Sequence, residues 1–369
     1  MPRQYHHGIF PSFSHDEHAL QEFVLCMREY VAGGMVGGNE VLWENSAEPA
    51  FVKKHGRPPA NRVEGRALLE AQPFHQAWSS LNVNTQEMIW SSVQDGVDRQ
   101  ADDLNERALV TRPKGSLRTN PDMEVPRYAV GIDIHRMPGG YGMEYEPDDV
   151  YQGAVYDRGA FMYGRGLGGP LHDGSTRDLK AYIDARYPAF APAAVLDMGC
   201  GMGNSSVAAA KAFPNAEIHA IDVSAPLVRY GHARAESLGV GVHFSQQNAE
   251  QTDYPDESFD LIFSCIMLHE TSTKALPNYL RETWRLLKPG GIALHMDFAN
   301  NSGKSVFEQS LAWWSTHHNG EPFVGKLSDI DVAGEAVKAG FPHNAASFEK
   351  LSHWVPTSYF SVLDARKPG

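Results

Sequence analysis

The sequence predicts an α/β protein with a mainly helical N-terminal half and a doubly wound parallel sheet in its C-terminal half. From Ala193 onward, short β-rich runs alternate with helical runs, the pattern of a sheet covered by helices on both faces. Before that point, apolar residues between positions 14 and 109 recur at helical spacing. The length of 369 residues, 42% of them apolar, suits two domains, which we place at residues 1–187 and 188–369.

The N-terminal half is expected to begin with a capped helix and to end in a connector. Ser14 followed by Glu17 fits a capping box, in which the hydroxyl and the carboxylate each satisfy an unpaired backbone amide. Residues 111–170 are rich in Gly and Pro, which favours turns and loops, and one more helix is indicated over residues 178–187. We expect the stretch at residues 111–170 to be a connector with a function of its own.

The C-terminal half carries a regular alternation of elements. Strands are predicted over residues 194–197, 216–222, 240–245, 259–265, 291–297 and 359–365. Helices are predicted over residues 205–213, 225–238, 276–287 and 335–339. Ser224 is placed to cap the second of these helices, with Pro226 in the first turn, where a missing N–H costs nothing.

Charge and cysteine usage narrow the classes of function. The chain has 32 basic and 45 acidic residues, and a net charge of −13 repels a phosphate backbone or an anionic lipid surface. Small molecules are therefore the expected partners, not nucleic acid or a membrane. Three widely spaced cysteines argue against a disulfide framework and favour the cytoplasm. We expect neither a signal peptide nor a membrane helix, which needs roughly 18 uncharged apolar residues.

The strongest motif is a glycine-rich turn between a strand and a helix, with the sequence Val195-Leu196-Asp197-Met198-Gly199-Cys200-Gly201-Met202-Gly203-Asn204. Glycines at such a turn let the backbone approach a ligand at the carboxyl edge of the sheet. A dinucleotide fingerprint requires glycine where Asn204 stands, and an ATP-type P-loop requires a Gly-Lys-Ser/Thr sequence that does not follow here. A tight turn without a ligand is the alternative.

This loop and three further signals together resemble the class I S-adenosylmethionine (SAM)-dependent methyltransferases. The second strand ends in Asp222, the third is closed by Asn248-Ala249, and Arg-Leu-Leu-Lys-Pro-Gly-Gly at residues 285–291 is similar to the family's turn into the fifth strand. The resemblance extends from Ala193 to the C-terminus. It implies a seven-stranded, Rossmann-like sheet, SAM as the methyl donor and S-adenosylhomocysteine (SAH) as the product.

The resemblance also implies a cofactor site along the carboxyl edge of the sheet. The Asp222 carboxylate is expected to accept both ribose hydroxyls of SAM, although it could instead cap the following helix. Asp197 is expected to accept amides of the glycine loop. Polar and backbone groups at Asn248 and Ala249 are expected to bind adenine. The expected cofactor residues are Tyr156, Arg158, Asp197, Gly199, Gly201, Asp222, Val223, Asn248, Ala249 and Ser264.

An aromatic-rich segment, residues 151–163, precedes the predicted sheet. Related small-molecule methyltransferases use a segment here as a lid, since an aromatic face attracts the sulfonium and excluding water protects the methyl donor. The resemblance therefore implies that residues 151–170 act as a lid and that the N-terminal half covers the substrate site. We also expect this half to contribute to dimer formation. Tyr151 and Tyr163 are expected to face the substrate, and Arg158 or Arg165 to pair with the methionine carboxylate of SAM. Alternatively, these aromatic residues pack a helix between the two domains.

Methyl transfer requires an aligned nucleophile and, where that nucleophile carries a proton, a base that removes it. His269, just after the fourth strand, is the expected base, with Glu270 orienting it or binding a metal; a structural role for this pair is the alternative. His295 is a further catalytic candidate. His295 and Asp297 share one strand face by the two-residue period, and one of them is expected to point into the cleft.

A second cluster, Trp313, Trp314 and His317, lies in the insertion after the fifth strand. These residues either line the acceptor pocket or pack inside the insertion. His269, Glu270, His295 and His317 or His318 also offer a metal site like that of some α-keto-acid C-methyltransferases. No tight ligand spacing supports that site, so no metal is predicted.

The sequence thus predicts an enzyme that transfers a methyl group from SAM to an O, N, S or activated C atom of a small molecule. A metal-assisted α-keto-acid C-methyltransferase is one alternative, and a non-catalytic SAM-binding scaffold is another. A nucleic-acid or protein methyltransferase is disfavoured by the net charge of −13 and by the lack of an Asn-Pro-Pro-Tyr/Phe loop.

Overall fold

Within residues 3–298 and 300–369, which the computed structural model describes, eight strands form one mixed sheet. The strands are β1 (Ser116–Arg118), β2 (Ala194–Met198), β3 (Glu217–Asp222), β4 (His243–Gln246), β5 (Phe259–Cys265), β6 (Leu287–Asp297), β7 (Ala346–Lys350) and β8 (Ser361–Arg366). Their order across the sheet is β1-β4-β3-β2-β5-β6-β8-β7. All neighbours pair in parallel except β8, which runs antiparallel to β6 and β7.

All of the strands predicted from the sequence are present, within a few residues at each end. Strand β7 supplies the seventh strand of the predicted sheet. Strand β1 is an addition, because residues 111–170 were expected to form turns and loops. Its Leu117 pairs with Phe244 of β4. A strand of three residues is too short to show a hydrophobic period, so the sequence pattern does not predict it. The strand forms because the segment pairs with β4, which is distant in the chain.

The N-terminal half is helical, as predicted. Its helices are α1 (His15–Glu29), α2 (Val36–Leu42), α3 (Glu48–His55), α4 (Arg62–Glu70), α5 (Pro73–Asp98), α6 (Ala101–Arg107), α7 (Arg127–Val130) and α8 (Tyr151–Tyr163), with π-helical turns at Tyr30–Met35 and Trp43–Ala47. The predicted capping box is confirmed: the Ser14 hydroxyl accepts the Glu17 amide, and the Glu17 carboxylate accepts the Ser14 amide.

The helices of the C-terminal half are α9 (Gly174–Arg186), α10 (Asn204–Ala212), α11 (Ala225–Ser237), α12 (Leu276–Leu286), α13 (Val306–Ala312), α14 (Trp314–His318), α15 (Val324–Leu327) and α16 (Val332–Ala339). Short 3₁₀ turns lie at Ile134–Arg136, Leu268–Glu270, His343–Ala345 and Leu351–His353. Ser224 caps α11 by accepting the Leu227 amide, as predicted. None of the described helices is long and apolar enough to cross a membrane.

Different helices cover the two faces of the sheet. Val195 packs with residues of α9, α10 and α11, whereas its neighbour Leu196 packs with residues of α12 and α16. Side chains alternate along a strand, so these contacts confirm the doubly wound arrangement. Helix α9 contributes Tyr182 to the core of the sheet although it precedes residue 187. The domain division at that residue stays a prediction.

Helix α8 joins the two halves of the molecule. Its residue Ala154 packs in one cluster with Ile89 and Trp90 of α5 and with Tyr230 of α11. Almost all of its residues are buried, so the segment predicted to be a lid is a packed helix. This packing places one side of α8 over the carboxyl edge of the sheet.

Candidate functional site

A cavity of about 530 Å³ opens at the carboxyl edge of the sheet. Its walls come from the glycine loop, the ends of β3 and β5, α8 and the loop around residues 134–141. Parallel strands place the groups that follow them at this edge, which explains why residues distant in the chain meet here. The cavity therefore lies where the sequence predicts a ligand.

The glycine loop has a backbone that favours glycine. Gly199, Gly201 and Gly203 have φ values of +80°, +51° and +76°. The amides of Gly199 and Cys200 donate to the carbonyl of Ile221 at 2.8 and 3.0 Å, which holds the loop against the end of β3. A Cβ atom on Gly201 would lie in van der Waals contact with the Tyr156 ring, 3.9 Å from its Cε1 atom, and both residues line the cavity. A ligand can therefore approach the backbone closely at this position.

Asp222 shapes the loop, a role predicted for Asp197. One Asp222 oxygen accepts the Gly201 amide at 2.9 Å, and the other accepts the Ser224 amide at 2.9 Å. Burial raises the pKa of Asp222, and these amides oppose the rise. Its carboxylate lines the cavity together with Val223, on the side where Asn248 and Ala249 also lie.

The prediction that Asp197 accepts loop amides is wrong. Its carboxylate instead accepts the hydroxyls of Ser205 and Ser206 at 2.6 and 2.7 Å, beneath the first turn of α10. Burial raises the pKa of Asp197 to about 7. Asp197 and Ser264 are fully buried and do not line the cavity.

The helical period of α8 decides which of its residues reach the cavity. Tyr156 and Tyr163 line it. Tyr151 and Arg158 face α5 and α1 instead. The Tyr151 hydroxyl donates to Asp98 at 2.5 Å, and the Arg158 Nε atom donates to Gln21 at 2.8 Å. The structure therefore does not support Tyr151 as a substrate residue or Arg158 as a cofactor residue.

His295 is a core histidine, contrary to the prediction of a catalytic role. Its Nδ1 atom lies 3.0 Å from the Ser264 hydroxyl and 2.9 Å from the Tyr279 hydroxyl. The side chain is fully buried between the sheet and α12, outside the cavity. Burial lowers the pKa of His295 to about 3. It is thus neutral and engaged in the core.

His269 lies in the cavity wall and is oriented by Asp297. The His269 Nδ1 atom is 2.9 Å from Asp297 Oδ1, and the His269 backbone amide donates to Asp297 Oδ2 at 3.1 Å. The His269 Nε2 atom makes no hydrogen bond with the described residues and lies 3.5 Å from Glu270 Oε1. The orienting role predicted for Glu270 is therefore taken by Asp297.

Glu270 belongs to a buried network that sequence analysis missed. Its Oε1 atom accepts the Tyr141 hydroxyl at 3.1 Å and lies 3.5 Å from His135 Nε2. The other ring nitrogen of His135 forms an ion pair with Glu321 at 2.5 Å. His135 has a φ of +54°, and its carbonyl accepts the Trp90 indole at 2.8 Å. No sequence motif marks these loop residues.

The network has a characteristic charge pattern. Burial by itself would lower the pKa values of His269 and His135, but the adjacent carboxylates raise both well above the ordinary value. The dominant opposing groups are Asp297 for His269, and Tyr163 and Glu321 for His135. In turn, the two histidines hold the pKa of Glu270 below its ordinary value in spite of burial.

A cluster that was predicted to line the substrate pocket, Trp313, Trp314 and His317, faces away from the cavity. The Trp314 indole donates to Ser79 at 2.7 Å, and the Trp313 ring lies under the Arg62 guanidinium at 4.7 Å. His317 Nδ1 is 3.1 Å from the Trp313 carbonyl. These side chains pack the insertion against α4 and α5, so their assignment to the substrate site is wrong.

The proposed metal ligands are not brought together either. His295 lies in the core, and His318 lies 3.8 Å from Glu70 and does not line the cavity. Among the described residues, no group of three or more His, Cys, Asp or Glu side chains is spaced to hold a metal ion.

Comparisons with known proteins concern mainly the C-terminal half. Residues 195–291 match a family model described as a methyltransferase domain. Over 107 residues the chain is 33% identical to phosphoethanolamine N-methyltransferase 1 of Arabidopsis thaliana, covering 29% of this chain and 21% of that protein. Over 183 residues it is 28% identical to the malonyl-acyl-carrier-protein O-methyltransferase of Herminiimonas arsenicoxydans, covering 49% of this chain and 64% of that protein.

The chain thus spans less than two thirds of the length of either relative. Among solved structures, the Haemonchus contortus phosphoethanolamine N-methyltransferase 2 in complex with phosphomonomethylethanolamine and SAH is similar with a TM-score of 0.41 and 16% identity. That similarity covers 52% of each chain.

Proposed function

We propose that this protein, whose residues 195–291 form a class I methyltransferase domain with SAM as its cofactor, methylates a small molecule bound beside His269. One observation carries the proposal: a single continuous cavity is lined by the glycine loop and Asp222 on one side and by His269 and Glu270 on the other. SAM supplies a methyl group that an acceptor lone pair displaces in line from sulfur.

The residues of the cofactor side fit SAM. Asp222 uses one lone pair of each oxygen for an amide, and a carboxylate has further lone pairs for two ribose hydroxyls. Gly201 lines the cavity and has no side chain, so a ligand can contact its backbone. Arg177 of α9 lines the cavity, and we assign it to the methionine carboxylate in place of Arg158. Asn248 and Ala249 remain the proposed adenine contacts.

On the acceptor side, His269 is the proposed base. Asp297 holds Nδ1, which leaves Nε2 to take a proton from an acceptor in the cavity. The pKa of His269 is raised, so the free protein carries a protonated His269 near neutral pH. A base must be deprotonated, and kcat/KM is therefore expected to rise with pH through the alkaline range.

The function is tested by SAH calorimetry and by an acceptor screen with radiolabelled SAM. His269→Gln is expected to lower turnover by about 10²–10⁴-fold and to leave SAH affinity unchanged, because the base acts on the acceptor. His343→Gln, at an exposed turn, is the matched control and is expected to behave as wild type. Absence of SAH binding would refute the methyltransferase, and SAH binding without turnover on any acceptor would favour the scaffold alternative.

Asp297→Asn gives a sharper test of the base. An asparagine amide can donate to Nδ1, which would place the proton on Nε2 and remove the base. Loss of the carboxylate also lowers the His269 pKa, so any residual activity is expected to rise at a lower pH than in the wild type. An unchanged rate and an unchanged pH profile would remove the pair from the mechanism. A chelator is expected to have no effect on the wild type.

Charge and cysteine state support the remaining features of the proposal. The net charge of −13 favours a small-molecule acceptor over nucleic acid or a membrane surface, and the three cysteines are free, as in a cytoplasmic protein. Dimer formation through the N-terminal half stays a prediction, to be tested by sedimentation.

A further inference from the structure

The acceptor side of the cavity carries two carboxylates that face a common histidine. Glu270 lies 3.5 Å from His135 Nε2, and Glu321 lies 2.5 Å from His135 Nδ1. Both carboxylates line the cavity, and the Glu321 side chain is 6% exposed. Asn319 donates from its amide nitrogen to Glu321 at 2.9 Å and to the Tyr163 hydroxyl at 2.8 Å, which fixes the Glu321 carboxylate in place.

Aromatic rings surround these carboxylates. The Tyr163 ring centroid lies 4.7 Å from that of His135, and the Tyr141 ring packs edge-on against Tyr156 at 5.3 Å. Trp90 lies parallel to Tyr156 at 6.5 Å. All four aromatic side chains line the cavity. Rings of this kind attract cations through their negative faces.

A basic side chain that could balance an anionic acceptor is missing from this side. Among the described lining residues, Arg177 is the one lysine or arginine, and it pairs with Asp173 at 3.4 Å beside the turn before α9. Arg28 lies behind Tyr163, with its guanidinium 4.9 Å from the ring centroid, and its Nη1 atom donates to Asn82. A phosphate or carboxylate on the acceptor would therefore meet Glu270 and Glu321 without compensation.

A second feature points to a ligand here. The His269 side chain is 1% exposed and lines the cavity, yet its Nε2 atom has no hydrogen-bond partner among the described residues. Buried polar atoms nearly always have a partner. An acceptor group in the cavity, next to Glu270, would supply the missing one.

We propose that the acceptor is an amine that enters as its ammonium ion and binds in the cavity beside Glu270 and Glu321, inside the aromatic wall. This inference rests on the proposed function and names the substrate class of the same site. The carboxylates of Glu270, Glu321 and Asp222 line the cavity, and that of Asp297 lies behind His269. The positive groups near them are His135, His269 and, behind Tyr163, Arg28, so a cation improves the charge balance.

The reaction balances with one proton released. The ammonium nitrogen gives one N–H proton to neutral His269 Nε2, and its freed electron pair forms the bond to the methyl carbon. The carbon–sulfur bond breaks with its electron pair on sulfur, leaving SAH and the N-methylated ammonium ion. His269 then loses the proton to solvent. No oxidant or other reactant is required.

Cation binding also prepares the base. The groups that face His269 are Asp297, Glu270 and the Phe298 ring, and those that face His135 are Glu270, Glu321 and Tyr163. An ammonium ion beside Glu270 disfavours a second positive charge on either histidine. Amine binding near neutral pH is therefore expected to release a proton, whereas an anionic ligand would take one up.

The experiment titrates SAH-saturated protein with three probes of matched shape: benzylamine, benzyl alcohol and benzoate. Benzylamine is expected to bind at least about tenfold more tightly than the other two. Calorimetry in phosphate and in Tris, buffers with different ionisation enthalpies, is expected to show proton release with benzylamine. Glu321→Gln is expected to abolish the preference and keep SAH affinity. Glu335→Gln, on α16 and outside the cavity lining, is the matched control.

The outcomes separate the two proposals. If SAH does not bind the wild type, the proposed function fails and this inference fails with it. If SAH binds but benzylamine shows no preference, or benzoate binds best, the inference alone is overturned. Because the three-probe comparison uses the wild type, it decides the question even if Glu321→Gln does not fold.

Discussion

At the scale of single residues, two carboxylates beside one glycine loop have different tasks because their hydrogen-bond partners differ. Asp197 is covered by α10, and one of its oxygens accepts two serine hydroxyls, whereas Asp222 accepts backbone amides and still borders the cavity. A carboxylate that accepts amides holds the loop in a fixed shape. The acid at the end of β3 therefore shapes the loop, and it is the one that borders the cavity where we propose that SAM binds.

Asp222→Ala is expected to weaken SAH binding by about 1.5–3 kcal/mol, because charge-assisted hydrogen bonds to the ligand and the loop are lost together. Isothermal calorimetry measures this change. Glu217→Ala, at the exposed beginning of the same strand, is the matched control and is expected to leave the affinity unchanged. Equal affinities of the two variants would exclude Asp222 from the ribose site.

His295 is expected to make the free energy of unfolding depend on pH. Its pKa is about 3 in the folded protein because of burial, against about 6.5 when unfolded. As the pH falls from 6.5 towards 3, the unfolded chain binds a proton that the folded chain does not, so stability falls. Above pH 6.5 this loss is absent.

His295→Gln removes the titrating group while keeping an amide that can bond to Tyr279 and Ser264. Urea unfolding between pH 7 and 4 is expected to show a shallower pH slope in this variant, by up to about 1.4 kcal/mol per pH unit. The exposed His343→Gln should retain the wild-type slope. Parallel slopes for wild type and His295→Gln would show that His295 is not a neutral core residue.

At the scale of elements, α8 is positioned by close contacts on two sides. A Cβ atom on Gly153 would lie 2.2 Å from the Tyr230 Cβ atom, and one on Gly159 would lie 2.1 Å from Trp90 Cζ3. Asp157, between them, pairs with His7 at 2.7 Å and accepts the Tyr230 hydroxyl at 2.9 Å. The two glycines thus let α8 approach α11 and α5, and this approach turns Tyr156 towards the cavity.

Gly159→Ala is expected to destabilise the protein by about 1–3 kcal/mol, since the added methyl group would force α8 away from the buried Trp90. Gly37→Ala in α2, where a Cβ atom would meet nothing within 4 Å, is the matched control. Alanine has the better helix propensity, so that change is expected to add up to about 1 kcal/mol. Denaturant unfolding measures the stability of both variants. If Gly159→Ala were as stable as the wild type, the close packing of α8 against Trp90 would be contradicted.

At the scale of the whole molecule, the cavity has walls from both halves of the chain. The sheet contributes the glycine loop and the ends of its strands, and the N-terminal half contributes Trp90, His135, Tyr141 and Tyr156. A ligand that contacts both walls stabilises both, by about 2.7 kcal/mol at a concentration 100-fold above its Kd. Binding is thereby coupled to the packing of the two halves.

Hydrogen exchange tests this coupling. SAH is expected to slow amide exchange in residues 199–203 and also in residues 134–141 and 156–163, since these segments form opposite walls of the cavity. Helix α3, which has no buried residue, is the internal control and is expected to exchange at an unchanged rate. Protection confined to residues 199–203 would mean that the N-terminal half does not take part in the cofactor site.

The sequence alone determined the strands and helices of the C-terminal half and the glycine turn between β2 and α10, because these depend on neighbours in the chain. The glycine spacing, Asp222 at a strand end and the alternation of apolar residues are local patterns, and the structure has them as predicted. Tertiary contacts decided the rest. His269 is oriented by Asp297, which is 28 residues away and lies on the next strand, β6. His295, two residues before Asp297 on that strand, is buried in the core.

The N-terminal half shows the same limit. From the sequence, residues 151–163 are expected to form an aromatic lid or a helix packed between the domains, with Tyr151, Tyr156, Arg158 and Tyr163 all at the site. In the structure they form the packed helix, and only Tyr156 and Tyr163 of these four face the cavity, while Tyr151 and Arg158 face α5 and α1. His135 lies in a loop with a positive φ, where no period exists to place a side chain. The acceptor side is thus built by contacts between segments far apart in the chain, which one-dimensional patterns do not encode.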